Sequence, residues 1–213
     1  MSAPRPRWIA LAVALAGALA VAFVFREAAL RALGRALVVD ELDGPADIIV
    51  VSTEADGAGV LEAADLVHSG IATRVAVFAD PPDAVDREFV RRGVPYEDSA
   101  ATSMRQLRSL GVRAVEEIPR AVAGSEAEAE LLPGWCAQNH FRAVVVVSTT
   151  DHSRRLSRML RRAMKGRETA IVIRPTRYSG FKPDRWWKTR DGIRTEITEL
   201  EKLLFDVVAH PFS

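Results

Sequence analysis

Four short runs rich in valine and isoleucine, each separated from the next by helical periodicity, constrain the fold of this chain most tightly. Residues 46–52 (ADIIVVS), 74–79, 143–148 and 170–173 each hold a continuous apolar run, as expected of strands covered on both faces. Helical patterns fill the intervals at 60–68, 83–92, 101–110, 125–139 and 153–164. Strands alternating with helices make βαβ crossovers, so the expected fold is a Rossmann-like three-layer α/β/α domain with a mostly parallel sheet. Gly93 and Gly111 each follow a helical stretch and are placed to end it in the left-handed conformation.

Ahead of this domain, residues 8–25 (WIALAVALAGALAVAFVF) carry no charge. At about 1.5 Å per residue such a helix nearly spans a hydrocarbon core of roughly 30 Å, so one transmembrane helix is expected. The competing reading is a cleaved signal peptide, with Arg5 and Arg7 as its basic region and Ala18-Leu19-Ala20 as its small-residue site. The run exceeds the usual ~7 to 15 residues of a signal-peptide core, which favours the anchor. Arg5 and Arg7 before the helix and Arg26, Arg31 and Arg35 after it leave orientation undecided by the positive-inside rule. The expected organisation is a tail at 1–7, the membrane helix at 8–25, a connector at 26–45 and one α/β domain at 46–213. In the connector, Leu30, Leu33 and Leu37 recur at helical spacing.

Composition removes several classes of function. A hydrophobic fraction of 48% argues against disorder, and a net charge of +1 against bulk attraction to nucleic acid. Cys136 is the only cysteine, so no intrachain disulfide can form. Gly57-Ala58-Gly59 lies where a dinucleotide-binding loop would sit, but Glu62 stands where that fingerprint needs a third glycine, and no P-loop motif occurs. An ordinary loop role is expected for both glycines. No metal site is expected, and the sequence names no cofactor and fixes no oligomeric state.

Three segments carry candidate chemistry. Residues 144–160 (VVVVSTTDHSRRLSRML) run from a buried strand through a short turn into a helix, at the sheet edge where open α/β folds bind ligands. At 100° per residue Leu156, Met159, Leu160 and Ala163 share one face, and Arg154, Arg158, Arg161 and Lys165 form the opposite, solvated stripe. His152 and Arg155 fall together near the boundary, where a helix N-terminus favours a phosphate or carboxylate; the alternative is a first-turn histidine beside a surface arginine. Ser148, Thr149 and Asp151 in the same turn join Arg155 and Ser125 as expected ligand contacts, with His152 and Glu128 as proton donor or acceptor. Ser125 and Glu128 have the S-x-x-E spacing of a capping box, a structural reading sufficient in itself. In the third segment, Trp186-Trp187 reads as packing or interface. It precedes a helix with Ile193, Ile197, Leu200 and Leu204 on one face and an exposed charge lattice of Arg190, Arg194, Glu199 and Lys202, in which Glu199 and Lys202 are the expected pair.

In this order and spacing the chain resembles the YdcF-like family from about residue 30 to 205. The resemblance rests on the Leu37-Val38-Val39 lead-in, the strand at 46–51, Gly111-Val112, Ser125 with Glu128, His152 with Arg155, and Trp186-Trp187 followed by Glu199 and Lys202. It implies a Rossmann-like domain on a membrane anchor, outside the cytoplasm, with a role in envelope or peptidoglycan precursor metabolism; the leading expectation is a domain that binds or processes an anionic, phosphate-bearing cell-wall or lipid-carrier intermediate. The chain departs from the family where glycine pairs are replaced by Ser52-Thr53-Glu54 and Phe78-Ala79-Asp80, and an arginine by Val60. A non-catalytic envelope interaction module is the second reading, and a nucleotide or S-adenosylmethionine binder the third, permitted by the layout without a motif to support it.

Overall fold

The computed structural model describes residues 7–119 and 122–211; of residues 7, 10, 18, 19 and 22 only the backbone is described. Five strands, β1 Ile48–Val51, β2 Arg74–Phe78, β3 Ala114–Ile118, β4 Ala143–Ser148 and β5 Ala170–Pro175, form one sheet in the order β3-β2-β1-β4-β5. Every adjacent pair is parallel. The order reverses direction between β1 and β4, which opens a crevice at their carboxyl ends.

Period-two alternation along the central strands builds two cores. Ile48, Val50, Val144 and Val146 face one side, where α5 (Gly124–Gln138) and α6 (Ser153–Ala163) supply Leu132, Trp135, Leu156 and Leu160. Ile49, Val51, Val145 and Val147 face the other, against Val60, Ala63 and Leu66 of α2 (Asp56–His68) and Leu107 of α4 (Ser99–Ser109). The result is the expected three-layer arrangement. α3 (Ala84–Arg91) starts with a capping box from Asp83 and buries no residue.

The strand β3 was not expected from the sequence, because AVEEI lies at the sheet edge and buries only Ile118 fully. Gly93 and Gly111 adopt φ of +86° and +89° as the helix stops they were expected to be. The loop role expected of Gly57 and Gly59 is incorrect, since both lie inside α2. A Cβ on Gly59 would fall 2.5 Å from that of Ala55 and 2.7 Å from Val51 Cγ1, so the glycine lets α2 sit close on β1. Glu62, fully buried, accepts from Arg174 Nε at 2.9 Å and from the Arg177 backbone at 3.0 Å, tying α2 to the end of β5.

The apolar run falls in α1 (Arg7–Ala36), which exposes Trp8, Leu11, Val13, Phe23 and Val24. Among the described residues no helix is long and apolar enough to cross a membrane, so they do not support the span expected over 8–25. Ala18 and Leu19 of the alternative cleavage site lie outside the described side chains, and the tail before Arg7 outside the described residues altogether. The far end of α1 docks on the domain: Leu30 and Leu37 pack with Phe181 and Trp186, and Trp186 Nε1 donates to the Leu30 carbonyl at 2.8 Å. The Trp186-Trp187 pair, in a 3-10 turn at Trp186–Lys188, therefore packs as expected. The connector continues into the domain, with Arg154 bonding the carbonyls of Ala36 and Val38 and Glu41 accepting from Ser157 and the Ile173 backbone.

Candidate functional site

The register between β1 and β4 pairs Val51 with Val147, so Ser52 and Ser148 lie side by side where the two strands end. Alternation turns both toward the α5/α6 layer. Glu128, one turn into α5, meets Ser52 there: its Oε2 accepts from Ser52 Oγ at 2.9 Å and from the Thr53 backbone and hydroxyl at 3.3 Å each. Glu128 is fully buried and its Oε1 has no hydrogen-bond partner among the described residues. Burial pushes the Glu128 carboxyl up to about 7 against the opposing pull of Ser52 and Thr53.

The expected capping box is therefore incorrect. α5 begins at Gly124 with Ala123 as its N-cap and no side-chain cap bond, which places Ser125 inside the helix. Glu128 reaches forward to the β1 loop instead of back to its own helix end. Ser52 and Thr53, at the end of β1, supply the partners of Glu128.

His152 precedes the first residue of α6 and is buried. Its Nδ1 lies 3.4 Å from Glu199 Oε2, and its Nε2 has no partner among the described residues. Arg155 Nε donates to the same Glu199 oxygen at 3.1 Å, and Lys202 Nζ to Oε1 at 2.7 Å. His152 and Arg155 thus share a side of α6 as expected, and Glu199 and Lys202 pair. Glu199 itself, however, is no part of an exposed lattice: it is buried at the centre of these three donors. Burial alone would raise its carboxyl, but the hydrogen bonds from His152 and Lys202 and the charge of Arg155 hold it at about 2.

The solvated stripe on α6 is likewise corrected. Arg158 and Arg162 both pair with Asp206 of α7 (Arg190–Ala209), and Arg161 pairs with Glu41. Solvent-facing by angle, Arg154 and Arg158 are partly covered because the connector and α7 pack over them, whereas Arg161 and Lys165 stay exposed as expected.

Between α5, α6 and α7 lies a cleft of about 910 Å³. Ser125 and Arg155 line it, as do Gly124, Met159, Arg162, Lys202 and Phe205. Glu128, His152 and Ser148 are buried and do not line the cleft, Ser148 Oγ also without a partner among the described residues. Asp151 is separated from the others, since it faces a second cleft of about 330 Å³ with Asp191, Arg194 and Glu199. Burial raises its carboxyl, and its hydrogen-bonding neighbour is Thr149. Glu196, also on α7 and fully buried, has neither oxygen hydrogen-bonded among the described residues and rises to about 7 through burial and the nearby charge of Asp151. Ser52, Thr53 and Glu196 had no signal as site residues beyond being polar next to apolar positions; Glu199 was expected as the partner of Lys202 but on an exposed face.

The cleft carries both signs of charge, with Glu54, Glu126, Glu130, Glu201 and Asp206 alongside its cations. Such a wall can hold a phosphate at Arg155 and the α5 start while its carboxylates accept from hydroxyls. Among the described residues no group of three or more His, Cys, Asp or Glu could hold a metal ion.

A search against protein-family models finds no match for this chain, and a search of curated proteins finds none. Among solved structures the chain is similar to HcgE from Methanothermobacter marburgensis, bound to guanylylpyridinol and ATP, with a TM-score of 0.35 and 16% identity. The match covers 63% of this chain and 62% of that one, and a likeness at this level carries no argument about function.

Proposed function

We propose that the chain is a membrane-anchored envelope protein of the YdcF-like family whose domain binds, and processes, a phosphate-bearing sugar or lipid-carrier intermediate in the α5/α6/α7 cleft. The observation that carries this reading is the meeting, at the sheet's switch point, of the cleft wall formed by Arg155 and the uncapped start of α5 with buried Glu128 and His152. Arg155 binds the phosphate, the acidic wall takes sugar hydroxyls, and exposed Phe205 offers a face to a sugar ring. Glu128, titrating near neutrality, and His152 through Nε2 exchange the proton. Residues 8–25 hold the chain in the membrane, with the domain outside the cytoplasm; this part of the reading rests on the uncharged run in the sequence.

A second reading, a non-catalytic interaction module, is favoured by one observation: Arg155 and Arg162 of α6 already pair with Glu199 and Asp206 of α7 and so tie the two walls of the cleft together.

Thermal shift with inorganic phosphate, N-acetylglucosamine and N-acetylglucosamine 1-phosphate separates the two. The sugar phosphate is expected to stabilise most, by roughly 2.7 kcal/mol at about 100 times its dissociation constant. Arg155→Ala should weaken its binding by on the order of 2 to 5 kcal/mol. Exposed Arg108, with only a distant Met104 sulfur as partner, is the control, and its alanine variant should stay within about 0.5 kcal/mol. No shift with any of the three compounds would favour the interaction module.

A further inference from the structure

Many arginines of the domain are engaged: Arg74 with Glu116, Arg155 with Glu199, Arg158 and Arg162 with Asp206, Arg161 with Glu41, Arg174 with Glu62. Around the 3-10 turn three basic side chains stand close in sequence without such partners. Arg185, Lys188 and Arg190 are exposed, and their side chains have no hydrogen bond or ion pair among the described residues. Half-buried Trp187 stands among them, edge-on to Trp186 with ring centroids 6.0 Å apart.

The position of this cluster is fixed by α1. A Cβ on Gly34 would lie 2.3 Å from the Pro183 carbonyl oxygen, Arg35 pairs with Asp184 at 2.8 Å, and Trp186 bonds the Leu30 carbonyl. Leu30 is only about 7.5 Å along the helix from Phe25, the last residue of the apolar run. A bilayer's polar zone is roughly 5 to 8 Å deep on each side of its hydrocarbon core. Gly34, against which Pro183 sits, is about 13.5 Å along the helix from Phe25, so a helix that crosses the membrane up to Phe25 holds Trp186 at headgroup level, where tryptophan is favoured, and the basic side chains at its outer edge, within a Debye length of anionic lipid.

We propose that Arg185, Lys188 and Arg190, with Trp187, form a docking surface for the headgroups of anionic phospholipid, which fixes the domain against the bilayer instead of leaving it to swing on its anchor. This rests on the anchor reading, and continuity with α1 together with charge complementarity selects the lipid surface as partner.

The test uses the full chain in nanodiscs of phosphatidylcholine alone or with one quarter phosphatidylglycerol, followed by hydrogen exchange. Amides of residues 181–192 should exchange at least about threefold more slowly in the anionic discs, those of α3 should not differ, and 0.5 M salt should erase the difference. The triple variant R185Q/K188Q/R190Q should lose the protection while keeping its circular dichroism and its resistance to carbonate extraction. Equal exchange in both discs from a chain that resists carbonate overturns the headgroup surface and leaves the anchor intact. Release by carbonate overturns the anchor; failure of the released chain to sediment with phosphatidylglycerol vesicles then overturns the surface too. Equal protection by soluble polyphosphate in neutral discs would mean a general anion site and also overturn it.

Discussion

Glu128 and Glu199 are both buried, yet their surroundings move them in opposite directions, and the stability of the protein should record both. Glu128 and Glu196, each raised to about 7, keep a proton that the unfolded chain releases from pH 4.5 upward. Their contribution is full below pH 4.5 and is lost as pH rises through 7. Glu199, held at about 2, contributes above pH 4.5 and loses that contribution as pH falls toward 2. Urea unfolding followed across pH should therefore show stability falling between pH 5 and 8. Glu128→Gln and Glu196→Gln should each flatten that fall by on the order of 3 kcal/mol. An unchanged pH slope in both variants would mean that neither carboxyl is raised in the folded protein. The sequence singled out Glu128 but not its partners, because Ser52 and Thr53 follow the apolar run of β1 without any motif that links them to a helix 75 residues away. Glu196 and Glu199 were hidden for another reason: helical angle alone does not say which neighbour covers a polar position.

The helices depend on two kinds of close contact. Gly59 lets α2 approach β1, and Gly59→Ala should cost about 1 to 3 kcal/mol through overpacking against Ala55 and Val51. Gly57, two residues earlier with open space around its Cβ position, should instead gain about 0.5 to 1 kcal/mol on substitution by alanine. Thermal melts of the two variants check the pair, and equal effects would mean that the approach of α2 is not limited by Gly59. α7 is held to α6 by Glu199 and Asp206, so Glu199→Ala should cost about 3 to 5 kcal/mol by leaving Arg155 without its carboxylate. Protection from exchange should be lost in α7 first, and uniform loss across the sheet would contradict this tie. The central strands were legible because strands covered on both faces are written as unbroken Val and Ile. β3, an edge strand carrying Glu116 and Glu117, lacks that signature. The α6 arginines show the same limit, since their partners Glu41 and Asp206 lie far away in the chain.

At the scale of the molecule, a sheet with its crevice between β1 and β4 is joined to α1, the helix proposed to place the domain beside a membrane. Orientation can be read with a cysteine at exposed Gln106, because native Cys136 is buried and its thiol is pushed up to about 11. Gln106→Cys should react with an impermeant maleimide in intact cells, after outer-membrane permeabilisation if there is one, and labelling only after lysis would put the domain in the cytoplasm. The central claim, that the α5/α6/α7 cleft is the ligand site, is tested most directly by backbone amide shifts during titration with N-acetylglucosamine 1-phosphate. Shifts should concentrate at residues 123–128 and 149–155 and along α7 from Glu199 to Asp206, leave α3 unmoved, and vanish in Arg155→Ala. Shifts centred on the β1/β2 edge, or none at all, would contradict it.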